Sequence, residues 1–295
     1  MSRTTANLLL LFAAAIWGSA FVPQTTAMAS LSPMWFLALR YALTLVILAP
    51  FVWREHVRAA QPPSRRTVVT MGLIGVVFVG GNVLQQTALL TTSVTNAGFL
   101  TSLYLLFTPF VAMALTQERP GTAVWPAAAL GLVGAWLLSG GIGGRLAIGD
   151  GLLTLSAMLW AVQIVLIGMV MRACDRPLLL VVVQGTLLML AGGAWAIGHD
   201  PISPAAIVAA APEIAYTGML SGVIGYTIQA VAQRHTEASD AAVIYAAEAP
   251  FASFCGMWLL GERLTSGQWA GAAAIFAAVL LVQFWPSADR REKHT

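Results

Sequence analysis

Apolar runs of about 20 residues, each long enough to cross the ~30 Å hydrocarbon core of a bilayer, recur along nearly the whole chain. Only 9% of the 295 residues are charged, 58% are hydrophobic, and the mean hydropathy is +0.80. A soluble domain carries roughly 25% charged residues, so most of this surface faces something other than water. The fold class is an all-α polytopic membrane protein. Ten spans fit the pattern, at 7–28, 33–53, 67–90, 94–116, 121–140, 149–171, 177–198, 206–233, 239–260 and 266–285. The opening "MSRTTANLLLLFAAAIWGSAF" resembles a signal peptide, but its apolar character continues to about Ala29, so it reads as an uncleaved first span.

Charge gives the orientation. With the N-terminus inside, Arg3, Arg54, Arg58, Arg65, Arg66, Arg119, Arg172, Arg176, Arg234, Arg290, Arg291 and Lys293 fall on the inner side. Arg145 and Arg263 fall outside, and Arg40 lies within span two. This asymmetry follows the positive-inside rule and puts both termini in the cytoplasm of a cell with this protein in its inner membrane. The net charge of +3 and pI near 9.2 arise from these loop arginines, so no nucleic-acid partner is expected; the expected surroundings are a lipid bilayer. Cys174 and Cys255 suggest neither a disulfide framework nor a metal site.

The chain also repeats itself. An offset of 144 lays "GNVLQQTALLTTSVTNA" over "GYTIQAVAQRHTEASDA" without a gap, matching Gly81 with Gly225, Gln85 with Gln229, Thr92 with Thr236 and Ala97 with Ala241. Glu118-Arg119 meets Glu262-Arg263, Trp125 meets Trp269, Pro33 meets Pro177, and Trp17 pairs with Trp160 at an offset of 143. The expected units are 1–142 and 143–295. Each holds five spans, an odd number, so the second enters from the opposite side: ten transmembrane helices form two inverted-topology five-helix repeats. Secondary transporters recurrently use this design, with the site between the halves near the midplane.

"AAIWGSAFV", "PMWFLALRYAL", "NAGFLTSLYLLFTPFVAMALTQERP" and "EAPFASFCGMWLLGERLT" resemble the EamA-type members of the drug/metabolite transporter superfamily. The resemblance covers almost the entire chain, in two copies. It implies ten helices, inverted repeats and export of small metabolites by alternating access, with the nearest likeness to bacterial exporters of amino acids, aromatic ones included. One departure concerns the prolines. Pro250 lies twelve residues before Glu262, as the family pattern has it, whereas Pro109 lies nine before Glu118. The weak point of span four is therefore expected about one turn away from that of span nine.

Polar side chains within spans face the bundle interior or a wet cavity. Spans one and six offer Trp17, Ser19, Trp160 and Gln163; spans three and eight offer Asn82, Gln85, Gln86, Tyr226 and Gln229; spans four and nine offer Tyr104, Tyr245 and Glu248. All but Gln86 are taken as candidates for the cavity lining, and packing or helix-to-helix hydrogen bonds are the alternative for each. Arg40 has the uncharged repeat partner Gln184 and is read as a structural residue snorkelling to an interface, with anion binding as the alternative. Spans five and ten carry small residues at spacing four, Ala127 with Gly131 and Gly267 with Gly271, and read as scaffold or a subunit contact. Glu118 and Glu262, each at a helix end, read as fixing loop geometry.

Glu248 is a lone carboxyl near the bilayer centre, where desolvation favours its neutral form. Two roles fit: proton coupling or contact with a substrate amino group, or a hydrogen bond between helices beside Pro250. Its repeat partner is Tyr104. The scarcity of interior Lys and Arg argues against phosphates and nucleotide sugars. The substrate class is a small neutral or zwitterionic metabolite, with aromatic amino acids first and other amphipathic compounds second. An intramembrane enzyme lacks parts: His56, His199, His235 and His294 lie in loops or near helix ends, and no HExxH, GxSxG or Walker motif occurs. No cofactor is expected. A non-transporting scaffold is the remaining rival and would have a dry core.

Overall fold

The computed structural model describes residues 1–59, 61–117, 120–138 and 148–285. Every regular element among them is helical, because inside hydrocarbon each backbone N–H and C=O needs a partner within its own segment. The first repeat comprises α1 (Arg3–Thr26) with a short 3-10 turn, α2 (Pro33–Arg58), α3 (Arg65–Ala88), α4 (Val94–Ser102), α5 (Tyr104–Thr116) and α6 (Val124–Leu138). The second comprises α7 (Ile148–Ala173), α8 (Pro177–His199), α9 (Pro204–Ala209), α10 (Ala211–Tyr216), a π-helical stretch (Thr217–Gly225), α11 (Tyr226–Ala232), α12 (Ala238–Tyr245), α13 (Glu248–Leu260) and α14 (Ser266–Phe284).

Among the described residues nine segments are long and apolar enough to cross a membrane, and the fifth span contributes the shorter apolar helix α6. Serines set many of the starts: Ser2, Ser32, Ser64 and Ser93 each accept a backbone N–H from the first turn that follows, and Pro33 and Pro177 occupy first-turn positions where no N–H is needed. Large side chains such as Val46, Ile197 and Val208 point outward, more than 70% exposed, a surface suited to lipid.

Spans four, eight and nine are not the single helices their hydropathy suggests. In spans four and nine the interruption sits at the same repeat position. Leu103 N–H bonds to Leu100 C=O at 3.3 Å, and 144 residues later Ala247 N–H bonds to Ile244 C=O at 3.2 Å. These tighter i→i−3 turns end one half-helix and start the next. The expected one-turn offset is therefore absent. Pro109 lies inside α5, six residues past the interruption, whereas Pro250 sits in the first turn of α13, so the turn and not the proline decides where span four breaks. The half-helices also end alike: Gln117 (φ 58°) and Gly261 (φ 72°), again 144 apart, cap α5 and α13 in the left-handed conformation.

Packing repeats as well as backbone. α6 lies on α14 and α2 on α8, so each of these spans meets its own counterpart; α1 packs on α12 and α13 as α7 packs on α4 and α5. The exchange extends to the helix ends. Thr236 Oγ1 donates to Asn7 Oδ1 at 3.0 Å, and Thr92 Oγ1 donates to Asp150 Oδ1 at 3.3 Å. Thr92 and Thr236 are 144 apart, Asn7 and Asp150 143 apart, and the two contacts lie at opposite ends of the bundle. Helix alternation puts Arg3, Arg54, Arg58, Arg65, Arg66, Arg172, Arg176 and Arg234 at one end and Arg263 at the other. Arg119, Arg145, Arg290, Arg291 and Lys293 lie outside the described residues. Glu262 accepts a hydrogen bond from the Thr95 hydroxyl, tying the end of span nine to the start of span four; Glu118 lies outside the described residues.

Spans five and ten meet each other through their glycines. A Cβ on Gly134 would stand 2.7 Å from Gly271 O and 3.0 Å from Ala274 Cβ and from Ile275 Cγ1. Gly267, by contrast, has only Thr265 Oγ1 nearby, at 3.8 Å. Gly134→Leu should overpack this contact and destabilise the protein by about 1–3 kcal/mol. Gly72→Leu, on α3 with nothing within 4 Å of its Cβ position, should leave the melting temperature in detergent nearly unchanged; equal melting of the two variants would show that α6 and α14 are not closely packed.

Candidate functional site

The two repeats enclose a cavity of about 500 Å³ of space between atoms, part of it open to the exterior. Trp17, Gln85, Tyr104, Trp160, Gln163, Tyr226, Gln229, Tyr245 and Glu248 line it, joined by Phe21, Gln24, Arg40, Thr101, Ile164 and Ser221. Repeat-equivalent residues face it from both halves: Trp17 and Trp160, Gln85 and Gln229, Tyr104 and Glu248. The last pair are the first residues of α5 and α13, so the interruptions of spans four and nine bring both to the cavity.

Aromatic rings make one wall. Trp17 stacks at a tilt on Tyr226 and Tyr245, with centroids 5.1 and 5.2 Å away, and Phe78 meets Tyr226 and Trp160 edge-on at 4.9 and 5.8 Å. Such pairs contribute about 0.5–1.5 kcal/mol beyond their burial. Trp17 has room because Gly225 faces it; a Cβ there would lie 2.7 Å from the indole nitrogen. Amides make another wall. Gln229 Nε2 donates to Gln163 Oε1 at 3.2 Å, Gln163 Nε2 donates to Gln184 Oε1 at 2.9 Å, and Trp160 Nε1 donates to Gln85 Oε1 at 3.0 Å.

What the lining leaves unpaired is more informative. Trp17 Nε1, Thr101 Oγ1 and Gln229 Oε1 are buried without a protein hydrogen-bond partner among the described residues, and the Tyr104 hydroxyl and Glu248 Oε1 have none beyond each other. Each such group carries a desolvation penalty of about 1–3 kcal/mol when left unmet, and native interiors rarely collect them. Gln86 Oε1, Glu213 Oε2 and Thr227 Oγ1 are unmet elsewhere, but these five share one cavity, which suits it to water and polar solutes. Among the described residues no group of three or more His, Cys, Asp or Glu side chains could hold a metal ion.

Two expected lining residues are elsewhere. Ser19 lies two positions from Trp17, about 200° around the helix, and bonds instead to Ile16 C=O at 2.9 Å and the Tyr216 hydroxyl at 2.7 Å. Asn82 sits behind the lining, its Oδ1 accepting from Arg40 at 2.9 Å and its Nδ2 donating to Phe78 C=O. Arg40 does not snorkel. It is 3% exposed and lines the cavity, because Gln24, Tyr41 and Asn82 give its guanidinium acceptors inside the bundle. Gln24, Thr101 and Ser221 were not singled out by sequence; Gln24 falls near the end of span one, and a single hydroxyl in a span carries little signal.

The family model of the EamA-like transporters matches this chain twice, over residues 4–140 and 147–284. The protein belongs to the EamA-like transporter family. Two relatives match it over nearly their whole lengths. An uncharacterized transporter of Archaeoglobus fulgidus is 27% identical over 285 residues, 96% of this chain and 87% of its own. The uncharacterized transporter YwfM of Bacillus subtilis is 26% identical over 299 residues, 97% and 95%. A crystal structure with 19% identity superposes with a TM-score of 0.76 over 99% of this chain and all of its own, a likeness of fold. This EamA-like chain is thus a multi-pass membrane transporter, and its cavity lies where the two matched segments meet.

A wet cavity makes a definite labelling pattern. With Cys174 and Cys255 replaced by serine, Thr101→Cys should react with a water-soluble thiol reagent in intact membranes, while Ala135→Cys, fully buried beside α14, should not. Equal inertness of both positions would mean the cavity is dry.

Proposed function

We propose that this EamA-like protein is a secondary transporter that exports small neutral or zwitterionic metabolites, amino acids first and aromatic ones foremost, by alternating access between its two repeats. The observation that carries this reading is the cavity between the repeats, with an aromatic wall, an amide wall and a set of unpartnered polar atoms drawn from both. An aromatic side chain fits against Trp17, Tyr226 and Tyr245, while a solute's backbone-like polar groups fit the atoms the protein leaves unmatched. The arginine-rich end is cytoplasmic in this reading, as the positive-inside rule requires, and the membrane is the inner one.

Alternating access needs the two ends to open in turn. The Asn7–Thr236 and Asp150–Thr92 contacts are suited to this, being equivalent bonds at opposite ends; releasing one while keeping the other exposes the cavity to one side. Glu248 is the coupling group. It is 5% exposed, and its carboxyl has no hydrogen-bonding group beside it among the described residues except the hydroxyl of its repeat equivalent, Tyr104. A carboxyl in that setting can take up a proton when the cavity faces one side and give it up on the other.

Purified protein in liposomes should move aromatic amino acids faster under an imposed pH gradient than without one. Glu248→Gln should abolish the response to the gradient while exchange of labelled for unlabelled solute persists. Leak-level flux for a broad amino-acid panel would reject the substrate class, and a gradient response that survives in Glu248→Gln would reject the coupling role.

A further inference from the structure

A buried arginine without a counter-ion among the described residues is the most unusual group in the cavity. Nη1 of Arg40 donates to Gln24 Oε1 at 3.1 Å, and Nη2 donates to Tyr41 OH at 3.0 Å and Asn82 Oδ1 at 2.9 Å. The guanidinium also lies 4.8 Å from the Tyr41 ring centroid and 5.6 Å from that of Phe36. All these partners are neutral. They hold the planar group in one orientation but leave its charge uncancelled, an arrangement that is strongly unfavourable in a low-dielectric interior unless an anion completes it. Three hydrogen bonds also use only three of the five guanidinium N–H donors.

The second repeat shows what a purely structural solution looks like at the equivalent position. Gln184 accepts from Gln163 Nε2 and donates to Leu180 C=O, closing an amide chain with no formal charge. The first repeat carries a cation instead. Glu248, from the second repeat, is the acidic residue in the same lining, yet the ion pairs found among the described residues are Arg3 with Asp240 and Arg234 with Asp175. The cavity thus presents one cation from one repeat and one carboxyl from the other, without joining them.

We infer that Arg40 binds the anionic group of the transported solute, which makes a carboxylate a requirement for recognition and Arg40 the residue that sets it. This rests on reading the cavity as the transport site and adds the charge its solute must carry. A single guanidinium flanked by amides and rings suits a carboxylate better than a phosphate, which is ordinarily met by several cations. Gln24, Tyr41 and Asn82 are positioning residues that aim the guanidinium. With Glu248 in the same lining, a zwitterion satisfies both ends of the cavity at once.

The test uses the intact purified chain and two trios of matched probes: phenylalanine, phenethylamine and 3-phenylpropionate, then leucine, isoamylamine and 4-methylpentanoate. Binding is read by ligand-induced thermal stabilisation and by competition. The unaltered protein should bind at least one amino acid about tenfold or more tighter than the amine that lacks its carboxylate. Arg40→Gln should bring the two within about threefold, and Arg40→Lys should keep part of the preference, because an ammonium retains the charge but loses the planar fork. An amine that binds the unaltered protein as well as its amino acid does would overturn the inference, as would a preference that survives in Arg40→Gln or a lack of binding by every carboxylate-bearing probe. The comparison on the unaltered protein can overturn the inference even where Arg40→Gln fails to fold, and Arg40→Lys then tests the assignment to this residue. Carboxylate-dependent binding confined to the leucine trio would reject the aromatic assignment and leave Arg40 in its role; binding of amines alone would remove Arg40 and leave a small-molecule carrier.

Discussion

A chain that crosses a bilayer five times and then repeats itself must begin its second copy on the far side. That requirement follows from the odd number alone, and much of the architecture follows from it. Spans two and seven meet as counterparts, as do five and ten, and the bond between Thr236 and Asn7 at one end has its equivalent between Thr92 and Asp150 at the other. The same relation gives the structure nearly the same contact at both of its ends. It places whatever lies on the approximate two-fold axis at mid-depth, where the interruptions of spans four and nine deliver Tyr104 and Glu248.

The equivalence is incomplete, and the exceptions are where chemistry enters. Trp17 and Trp160, or Gln85 and Gln229, preserve it. Tyr104 against Glu248 and Arg40 against Gln184 break it, giving each half one titratable or charged group that the other lacks. Polar groups inside a membrane protein normally find one another, each interhelical hydrogen bond contributing about 0.6 kcal/mol on average. The amides of Gln163, Gln184 and Gln229 do so here. The unmet atoms of Trp17, Thr101 and Gln229, with Tyr104 and Glu248 left to each other, are the contrast, and all five residues line the one cavity between the repeats.

The sequence made the membrane class, the span number and the duplication legible, because long apolar runs and matched rare residues such as Trp125 with Trp269 survive without any knowledge of packing. Much of the cavity lining was legible for the same reason: a Gln, Trp or Tyr far from the loops stands out. Orientation around a helix was not. Ser19 and Trp17 belong to one span, yet only a bundle with fixed neighbours decides which of them faces the centre. Nor was the environment of Arg40. Snorkelling is the usual solution for a lone cation, and it gave way here because Gln24, Tyr41 and Asn82, from three different places in the chain, happen to converge on it. The interruption of span four was hidden because Pro109, the visible helix breaker, sits six residues beyond it.

The opposed orientation of the two copies is the claim on which the cavity and its two ends depend. Thr122 and Ser266 are exposed residues 144 apart, near the starts of α6 and α14. Single cysteines at the two positions, in a chain otherwise free of cysteine, can be labelled with an impermeant thiol reagent in sealed vesicles of known sidedness. Labelling of Thr122→Cys from the side that carries Arg3 and of Ser266→Cys from the opposite side is the expected result; labelling of both from one side would contradict inverted repeats outright.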